Sequence, residues 1–133
     1  MKINVYTSGV FDLFHAGHIE ALEKAKALGT SLIVGVLSDE DAASYKRIPI
    51  IPYDQRSRIV KNLSLVDRVA LAPKYEATEF YYSMKIDIHC QGDQIEGFYE
   101  VARQLGILRI VGRSMLNESS RIMNIIKRQD DNV

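Results

Sequence analysis

Strand-like and helix-like segments alternate along the whole of this 133-residue chain. The clearest strand is residues 31–37, which are apolar at nearly every position, a pattern typical of a strand buried on both faces in a parallel sheet. Strands are predicted at residues 3–6, 31–37, 66–72, 86–91 and 107–111. Helices are predicted at residues 19–29, 39–45, 53–64, 78–85, 97–105 and 118–128. The alternation predicts an α/β fold with a doubly wound, parallel five-stranded, Rossmann-like sheet.

Sheets of this kind bind ligands beyond the carboxyl ends of the strands, near the point where the strand order reverses. Three segments follow predicted strands: the turn that begins at Thr7, the pair Gly92-Asp93 and the pair Gly112-Arg113. We expect them to converge on one site. The chain contains neither a Gly-x-Gly-x-x-Gly nor a Walker A sequence, so a dinucleotide oxidoreductase and a P-loop enzyme are both poor fits.

Composition narrows the class of protein further. A length of 133 residues is enough for one domain, which we predict to span residues 1–133. The formal net charge of +0 argues against a broad nucleic-acid-binding surface. A single cysteine, Cys90, excludes an internal disulfide and is predicted to be a small core residue. Because the sequence has no apolar run of membrane-spanning length and no signal-peptide pattern, we expect a cytoplasmic protein without a membrane partner.

The residues between the first strand and the first helix carry the strongest chemical signal. His15 and His18 are three residues apart near the helix start, a spacing that puts both side chains on one face. Free backbone N–H groups and the positive end of the helix dipole make the same place an anion site. Two imidazoles there indicate phosphate chemistry, whereas a capping or surface role explains one histidine better than two. Metal binding is the weaker alternative, because no cluster at zinc spacing surrounds them and His89 is far along the chain.

This stretch resembles the His-x-Gly-His nucleotidyltransferases, and in particular their cytidylyltransferase branch. The residues that fit the pattern Thr-x-Gly-x-Phe-Asp-x-x-His-x-Gly-His are Thr7, Gly9, Phe11, Asp12, His15, Gly17 and His18. The resemblance extends over almost the whole chain. It implies that His15 and His18 stabilise the α-phosphate and the bridging oxygen of a nucleoside triphosphate. It also implies that Asp12 orients the first turn and that the other motif residues bind the nucleotide.

The segment after the second predicted strand continues the resemblance. Residues 46–52 contain two prolines and are predicted to form a loop. In the resembled family a mobile loop here brings a lysine to the triphosphate. The resemblance implies that role for Lys46, with Arg47 as a substitute. The alternative interpretation is an ordinary basic loop exposed to solvent. The family also carries an arginine in the next helix, and Arg56 matches it. An ordinary charged residue on the helix surface would explain Arg56 equally well. Ser64 stands where the branches for glycerol and choline phosphates have another arginine, which weakens the transfer of their acceptor specificity.

Two later segments also match. Gly92-Asp93 resembles the family loop that borders the nucleotide, although Asp93 as an ordinary helix cap is the alternative. Arg113, followed by Ser119 and Ser120, resembles the arginine and the hydroxyl-rich helix start that hold the outer phosphates in that family.

Glu118 departs from the family pattern. It places a carboxylate where the family has a hydroxyl residue, so it would point away from the phosphates or help to hold a magnesium ion. Asn117 as a plain N-cap is the alternative explanation for this segment.

The resemblance implies an enzyme that moves CMP from CTP to a small phosphorylated acceptor, similar to glycerol 3-phosphate, with release of pyrophosphate. In this prediction Lys46 and Arg113 neutralise the triphosphate and Mg²⁺ binds its outer oxygens. The resemblance also implies a homodimer. Two alternatives stay open. One is an adenylyltransferase that uses ATP with a sugar phosphate or FMN as the acceptor, and the other is a catalytically weak nucleotide-binding module, which the departures at Glu118 and Ser64 favour.

Overall fold

The computed structural model describes residues 1–112 and Lys127. Strands and helices alternate along it, as the apolar pattern predicts. The strands are β1 (Asn4–Gly9), β2 (Ser31–Leu37), β3 (Arg68–Ala72), β4 (Ile88–Gln91) and β5 (Leu108–Ile110). The helices are α1 (Ala16–Lys26), α2 (Asp39–Tyr45), α3 (Tyr53–Lys61), α4 (Thr78–Ser83) and α5 (Glu100–Gln104).

The five strands form one sheet in the order β3-β2-β1-β4-β5, and every neighbouring pair is parallel. The prediction of a parallel five-stranded Rossmann-like sheet is confirmed. The chain builds outward from β1 to β3 and then crosses to the other side of β1 for β4. The strand order therefore reverses between β1 and β4, and a ligand site is expected at the carboxyl ends of these two strands.

The observed strand bounds differ from the predicted ones where the residues that pair with a neighbouring strand are not the same as the apolar residues. Strand β1 continues beyond Tyr6 to Gly9 because its last residues keep pairing with β2 as far as Val36. The other strands that differ are shorter. Before β4, for example, Ile86 is buried, but its N–H donates to the carbonyl of Tyr81 in α4. An apolar residue can thus be buried without belonging to the paired strand, so the apolar pattern is longer than the strand itself.

Helix bounds shift for similar reasons. Helix α1 starts at Ala16, three residues before the predicted start, because His15 caps it. Helix α2 has its predicted bounds, and the Ser38 side chain caps it by accepting a hydrogen bond from the Asp41 N–H. Helix α5 begins later than predicted, after Tyr99, whose φ of 62° is not helical. Apart from Lys127, the predicted helix at 118–128 lies outside the described residues.

The core lies on both faces of the sheet, because successive residues of a strand point to opposite sides. On one face α1 and α3 pack on the sheet through a buried cluster that includes Val5, Leu22, Leu32, Val34 and Val60. On the other face the buried cluster is Tyr6, Ile33, Tyr81, Ile86 and Ala102. Cys90 is buried and unbridged, as predicted. Among the described residues, none of the helices is long and apolar enough to cross a membrane.

Candidate active site

A cavity of about 220 Å³ opens at the carboxyl ends of β1 and β4, where the strand order reverses. Its walls come from the end of β1 and the following turn, helix α1, the loop after α2, and the end of β4. The predicted site residues that line it are Thr7, Gly9, Phe11, Asp12, His18, Lys46 and Gly92. Residues predicted from separate segments of the sequence thus meet at one edge of the sheet.

The turn after β1 adopts a backbone shape that most side chains avoid. Phe11 and Leu13 have φ values of 55° and 49°, both in the left-handed region. The Phe11 ring folds back over Gly9, where an added Cβ would lie 3.1 Å from the nearest ring atoms. Phe11 is also buried, and that burial helps to offset the strain of the turn. The turn carries the chain from the end of β1 to the start of α1, and both border the cavity.

His15 and His18 cap the N-terminus of α1 reciprocally. His15 Nδ1 accepts a hydrogen bond from the Gly17 N–H (2.9 Å), and His18 Nδ1 accepts one from the His15 N–H (3.1 Å). This is the pattern of a capping box, with imidazole nitrogens in place of hydroxyl and carboxylate oxygens. The capping and functional interpretations are compatible, since capping engages Nδ1 whereas a ligand would meet Nε2.

The caps also determine which nitrogen carries the proton. A neutral imidazole has one N–H and one acceptor nitrogen. Because Nδ1 of each ring accepts a backbone N–H, the proton of each neutral ring lies on Nε2. Burial, followed by the neighbouring His15 and Lys46, lowers the pKa of His18 to about 4. At neutral pH, His18 is therefore an uncharged ring that can donate a hydrogen bond from Nε2.

Packing restrains the same two rings. The ring centroids of His15 and His18 lie 4.1 Å apart, and the His18 ring stacks on Phe14 at 5.1 Å. Gly17, between the two histidines, is buried in the first turn of α1. Ring stacking and capping together limit the rotation of the His18 ring, which lines the cavity.

Asp12 anchors the loop that carries Lys46. Its carboxylate is 4% exposed and accepts hydrogen bonds from the backbone N–H groups of Ile50 (2.9 Å) and Ile51 (3.0 Å). Hydrogen bonds of this type, between a charged acceptor and backbone donors, are among the stronger ones in proteins. Asp12 thus connects the turn after β1 to the end of the lysine loop, in addition to lining the cavity.

Arg56 is a buried structural residue, so the surface interpretation of this side chain is wrong. Its guanidinium is 0% exposed and donates to the carbonyls of Ile51, Val10 and Leu37 and to Asp39 Oδ1 at 2.6–2.9 Å. A buried charge is tolerated when it is paired and its donors are satisfied, as they are here. Arg56 therefore joins the ends of β1 and β2 to the lysine loop from its place in α3.

Lys46 and Arg47 both line the cavity, as the basic loop predicts. Lys46 is exposed, and its ammonium group lies 6.0 Å from the ring centroid of Tyr45. Ile48, which follows the two basic residues, is 77% exposed although it is apolar. The loop therefore has a firmly held end at Ile50 and Ile51 and a basic, exposed end at the cavity.

Gln91 is a lining residue that the sequence analysis did not identify. It ends β4 and is 6% exposed. Its Oε1 accepts hydrogen bonds from Thr7 Oγ1 (3.0 Å) and the Ser8 N–H (3.2 Å), and its Nε2 lies 3.3 Å from Ser8 Oγ. The signal that would have found it is a polar side chain at the end of a strand, beside the reversal of strand order.

Two residues of the histidine motif, His15 and Gly17, are absent from the cavity lining among the described residues. Gly92 borders the cavity, whereas Asp93, its neighbour in the predicted loop, is absent from the lining within the described part of the chain. Ser64, where the resembled branches have arginine, is exposed. The predicted residues that lie outside the described ones are Arg113, Asn117, Glu118, Ser119 and Ser120.

The chemistry of the cavity suits an anion. Its lining combines the His18 imidazole with two cationic side chains, Lys46 and Arg47, and lies at a helix N-terminus. Residues 1–112 contain no group of three or more His, Cys, Asp or Glu side chains that could share a metal ion. A phosphorylated ligand therefore fits the described lining better than a bound metal does.

Known proteins share both this sequence pattern and this fold. The family model described as cytidylyltransferase-like matches residues 6–131. An ethanolamine-phosphate cytidylyltransferase from Arabidopsis thaliana is 40% identical over 85 residues, which are 64% of this chain and 20% of that protein. An FAD synthase from Archaeoglobus profundus is 39% identical over 90 residues, which are 68% of this chain and 57% of that protein. The chain thus spans only part of these relatives.

A solved structure matches over nearly its full length. The crystal structure of the lipopolysaccharide core biosynthesis protein from Thermoplasma volcanium superimposes with a TM-score of 0.69 and 32% identity. The match covers 86% of this chain and 97% of that one.

Proposed function

Because this chain belongs to the cytidylyltransferase-like family, we propose that it moves CMP from CTP to a small phosphorylated acceptor and releases pyrophosphate. The observation that carries the proposal is the reciprocal capping by His15 and His18. It turns two helix-capping side chains into donors with a fixed proton at an anion site. The cytidylyltransferase from Arabidopsis thaliana supports the choice of CTP.

The proposed reaction is an in-line displacement at the α-phosphorus of the nucleotide. An oxygen of the acceptor phosphate forms a new P–O bond, the bond to the bridging oxygen breaks, and pyrophosphate leaves with that electron pair. No covalent enzyme intermediate forms. Catalysis then depends on positioning and on stabilising the charge that moves to the leaving group.

His15 and His18 supply the catalytic hydrogen bonds. Their Nε2–H groups donate to the α-phosphate and the bridging oxygen, where negative charge increases in the transition state. A preorganised donor of this kind contributes roughly 10²–10³ in turnover. Lys46, beside Arg47 on the loop, and Arg113 are the cations that neutralise the triphosphate, and the loop closes once the nucleotide has bound.

The nucleotide crosses the ends of β1 and β4. Gly9, Gly17 and Gly92 allow the backbone to approach it closely, and Phe11 supports the turn beneath it. Asp12 acts through the loop that it anchors. The other proposed contacts to the nucleotide come from Thr7, Asp93, Ser119 and Ser120.

Mg²⁺ accompanies the triphosphate in this proposal. It prefers phosphate and water oxygens to nitrogen donors, and the described residues provide no cluster that would bind it without the nucleotide. When bound, it neutralises the outer phosphates and makes pyrophosphate a better leaving group. The protein surrounds the same oxygens with basic side chains, among them Lys46.

The decisive experiment measures pyrophosphate release with each of four nucleoside triphosphates against a panel of phosphorylated acceptors. CTP should give the highest rate, and omission of magnesium should abolish release. If no pair of nucleotide and acceptor releases pyrophosphate while CTP still binds, the catalytically weak nucleotide-binding module is the better description.

One comparison favours a second candidate, in which AMP is moved from ATP. The relative from Archaeoglobus profundus is an FAD synthase, and it matches a larger share of this chain than the plant relative does. The same panel with FMN as the acceptor and ATP as the nucleotide tests this candidate. A higher rate with that pair than with CTP and any acceptor would replace the first proposal.

Assembly and location follow from the resemblance and are part of the proposal. We propose a homodimer of single-domain chains that works in the cytoplasm. Light scattering of the purified protein would measure the mass in solution, and a mass near 15.1 kDa would contradict the homodimer.

A further inference from the structure

The two central strands separate where the cavity opens. Strand β1 pairs with β4 only as far as Tyr6, whereas its pairing with β2 continues to Gly9. Among the described residues, backbone pairing between β1 and β4 therefore stops before the carboxyl ends of these strands. Both ends line the cavity, so the gap between them lies beneath the proposed nucleotide.

The side chain of Gln91 spans this gap. Its backbone carbonyl accepts a hydrogen bond from the Val111 N–H (3.0 Å), on the β5 side of the strand. Its side chain reaches to the other side, where Oε1 accepts from Thr7 Oγ1 (3.0 Å) and from the Ser8 N–H (3.2 Å). Gln91 is 6% exposed, so little water competes for these bonds. A side-chain amide thus joins β4 to β1 where their backbone pairing has ended.

The donors of β1 determine which amide atom faces them. A backbone N–H can only donate, so the atom of the Gln91 amide that lies 3.2 Å from the Ser8 nitrogen must be the oxygen. The same oxygen accepts from the Thr7 hydroxyl, and Nε2 lies 3.3 Å from Ser8 Oγ. The feature that a replacement side chain has to keep is therefore an acceptor oxygen at this place.

The end of β1 leads directly into the machinery of the proposed reaction. After Gly9 the chain turns through Asp12 to the start of α1, which carries His18. A sideways shift of this end would move the imidazole relative to Gly92 at the end of β4, on the opposite side of the gap. A displacement of about 1 Å can slow a reaction that depends on positioning by roughly 10².

We propose that Gln91 is a positioning residue for nucleotidyl transfer. Its amide oxygen holds the ends of β1 and β4 at the separation that the reacting phosphates require. It acts through Thr7 and Ser8, and through the turn that follows them, on His18. The inference rests on the proposed transfer reaction and adds a residue to which the mechanism assigns no role.

Two substitutions at Gln91 separate the acceptor oxygen from the bulk of the side chain. Methionine has a similar length but only a weak acceptor, whereas glutamate carries an acceptor oxygen whether or not it is ionised. With CTP and magnesium, kcat should fall about tenfold or more in Gln91→Met with little change in KM, and stay within about threefold of wild type in Gln91→Glu. Repulsion of the triphosphate by the new carboxylate would appear in KM.

The matched control is Gln94→Met, which makes the same change at an exposed glutamine three residues away and should keep the wild-type kcat. Thermal unfolding identifies variants that fold. If Gln91→Met does not fold, Gln91→Asn replaces it, because its amide is one methylene too short to reach Ser8. Equal losses of kcat in Gln91→Met and Gln91→Glu would show that the side chain only fills space. A wild-type kcat in a folded Gln91→Met variant would overturn the inference.

Amide exchange separates failure of this inference from failure of the proposed function. The Ser8 amide, followed by NMR, should exchange about tenfold faster in Gln91→Met, the scale of one lost hydrogen bond, and at the wild-type rate in Gln91→Glu. If no nucleotide and acceptor support turnover but Ser8 exchange responds in this way, the transfer reaction is wrong and the bridge between the strands stands. If turnover occurs and neither kcat nor Ser8 exchange changes in Gln91→Met, the transfer reaction stands and the role of Gln91 is wrong.

Discussion

His18 and His89 make an instructive pair, because both are imidazoles whose pKa is lowered by burial. The pKa of His18 falls to about 4 and that of His89 to about 3. His89 is 0% exposed in β4, its Nδ1 lies 2.7 Å from Tyr81 Oη, and its Nε2 has no hydrogen-bond partner among the described residues. His18, by contrast, caps a helix with Nδ1 and lines the cavity.

The difference shows that a lowered pKa does not by itself mark a functional histidine. Desolvation acts on both rings, since any loss of water disfavours the charged imidazole. What separates them is the surroundings of the second nitrogen: the ring of His18 borders a cavity at the edge of the sheet, whereas that of His89 is enclosed by Tyr6, Tyr81 and Tyr99. The edge and the interior of one sheet thus give the same residue type two different environments.

The largest expected effect comes from making the same substitution at both positions. His18→Asn keeps an acceptor oxygen near the place of Nδ1 but removes the Nε2–H donor, so turnover should fall roughly 10²–10³-fold while α1 stays capped. His89→Asn should change turnover little in the folded fraction. Pyrophosphate release and thermal unfolding of both variants test this contrast. Comparable turnover in the two variants would remove the functional distinction between edge and interior.

The next effect concerns acid stability. The pKa of His89 is near 6.5 in an unfolded chain and about 3 in the fold, so below pH 6.5 the unfolded chain takes up a proton that the folded protein does not. This contribution is complete above pH 6.5 and is lost as the pH falls, at up to about 1.4 kcal/mol per pH unit. Urea unfolding between pH 7 and pH 4 should show a shallower decline for His89→Asn. The same slope as wild type would mean that other groups cause the acid sensitivity.

A smaller effect is expected from the phenol that partners His89. Tyr81→Phe removes one hydroxyl and leaves His89 Nδ1 buried without its hydrogen bond. The free energy of unfolding should fall by about 1–3 kcal/mol, the usual penalty for one unsatisfied buried polar group. Tyr82→Phe is the control, because Tyr82 is 71% exposed. Equal stability of the two variants would show that the Tyr81–His89 contact contributes little.

The smallest effect is a local one at the loop. With CTP and magnesium added, amide exchange at residues 46–50 should slow by about tenfold as the loop closes, whereas exchange around His89 should not change. Hydrogen exchange measured by mass spectrometry resolves both segments. Unchanged exchange at saturating nucleotide would contradict loop closure, and a slowing of similar size throughout β4 would indicate general stabilisation instead.

Much of the fold could be predicted from the sequence because local signals and tertiary packing agree. Residues 31–37 form β2 with the predicted bounds, since a nearly continuous apolar run that includes Ile33, Val34 and Val36 suits a central parallel strand. The bounds of α2, which the Ser38 side chain caps, were likewise predicted. The end of β1 could not be predicted, because the polar residues Thr7 and Ser8 belong to the strand only through pairing with β2.

The same division holds for the candidate site. The edge at which its cavity opens followed from sequence order, and five motif residues and Lys46 line that cavity. Arg56 and Gln91 could not be assigned in this way. Each is a polar side chain whose burial depends on neighbours that are distant in sequence, and no local pattern distinguishes a buried arginine or glutamine from an exposed one.

By itself, the sequence determined the alternation of strands and helices, and with it the parallel sheet, the edge at which the cavity opens, and the pair His15 and His18 at a helix start. These follow from short-range periodicity and from the chirality of parallel crossovers, which leave few topologies for such a pattern. Only the tertiary structure decided that Nδ1 of each ring is used for capping and that Arg56 is internal. Those features depend on which segments meet across the sheet, and desolvation and hydrogen bonding act only after they have met.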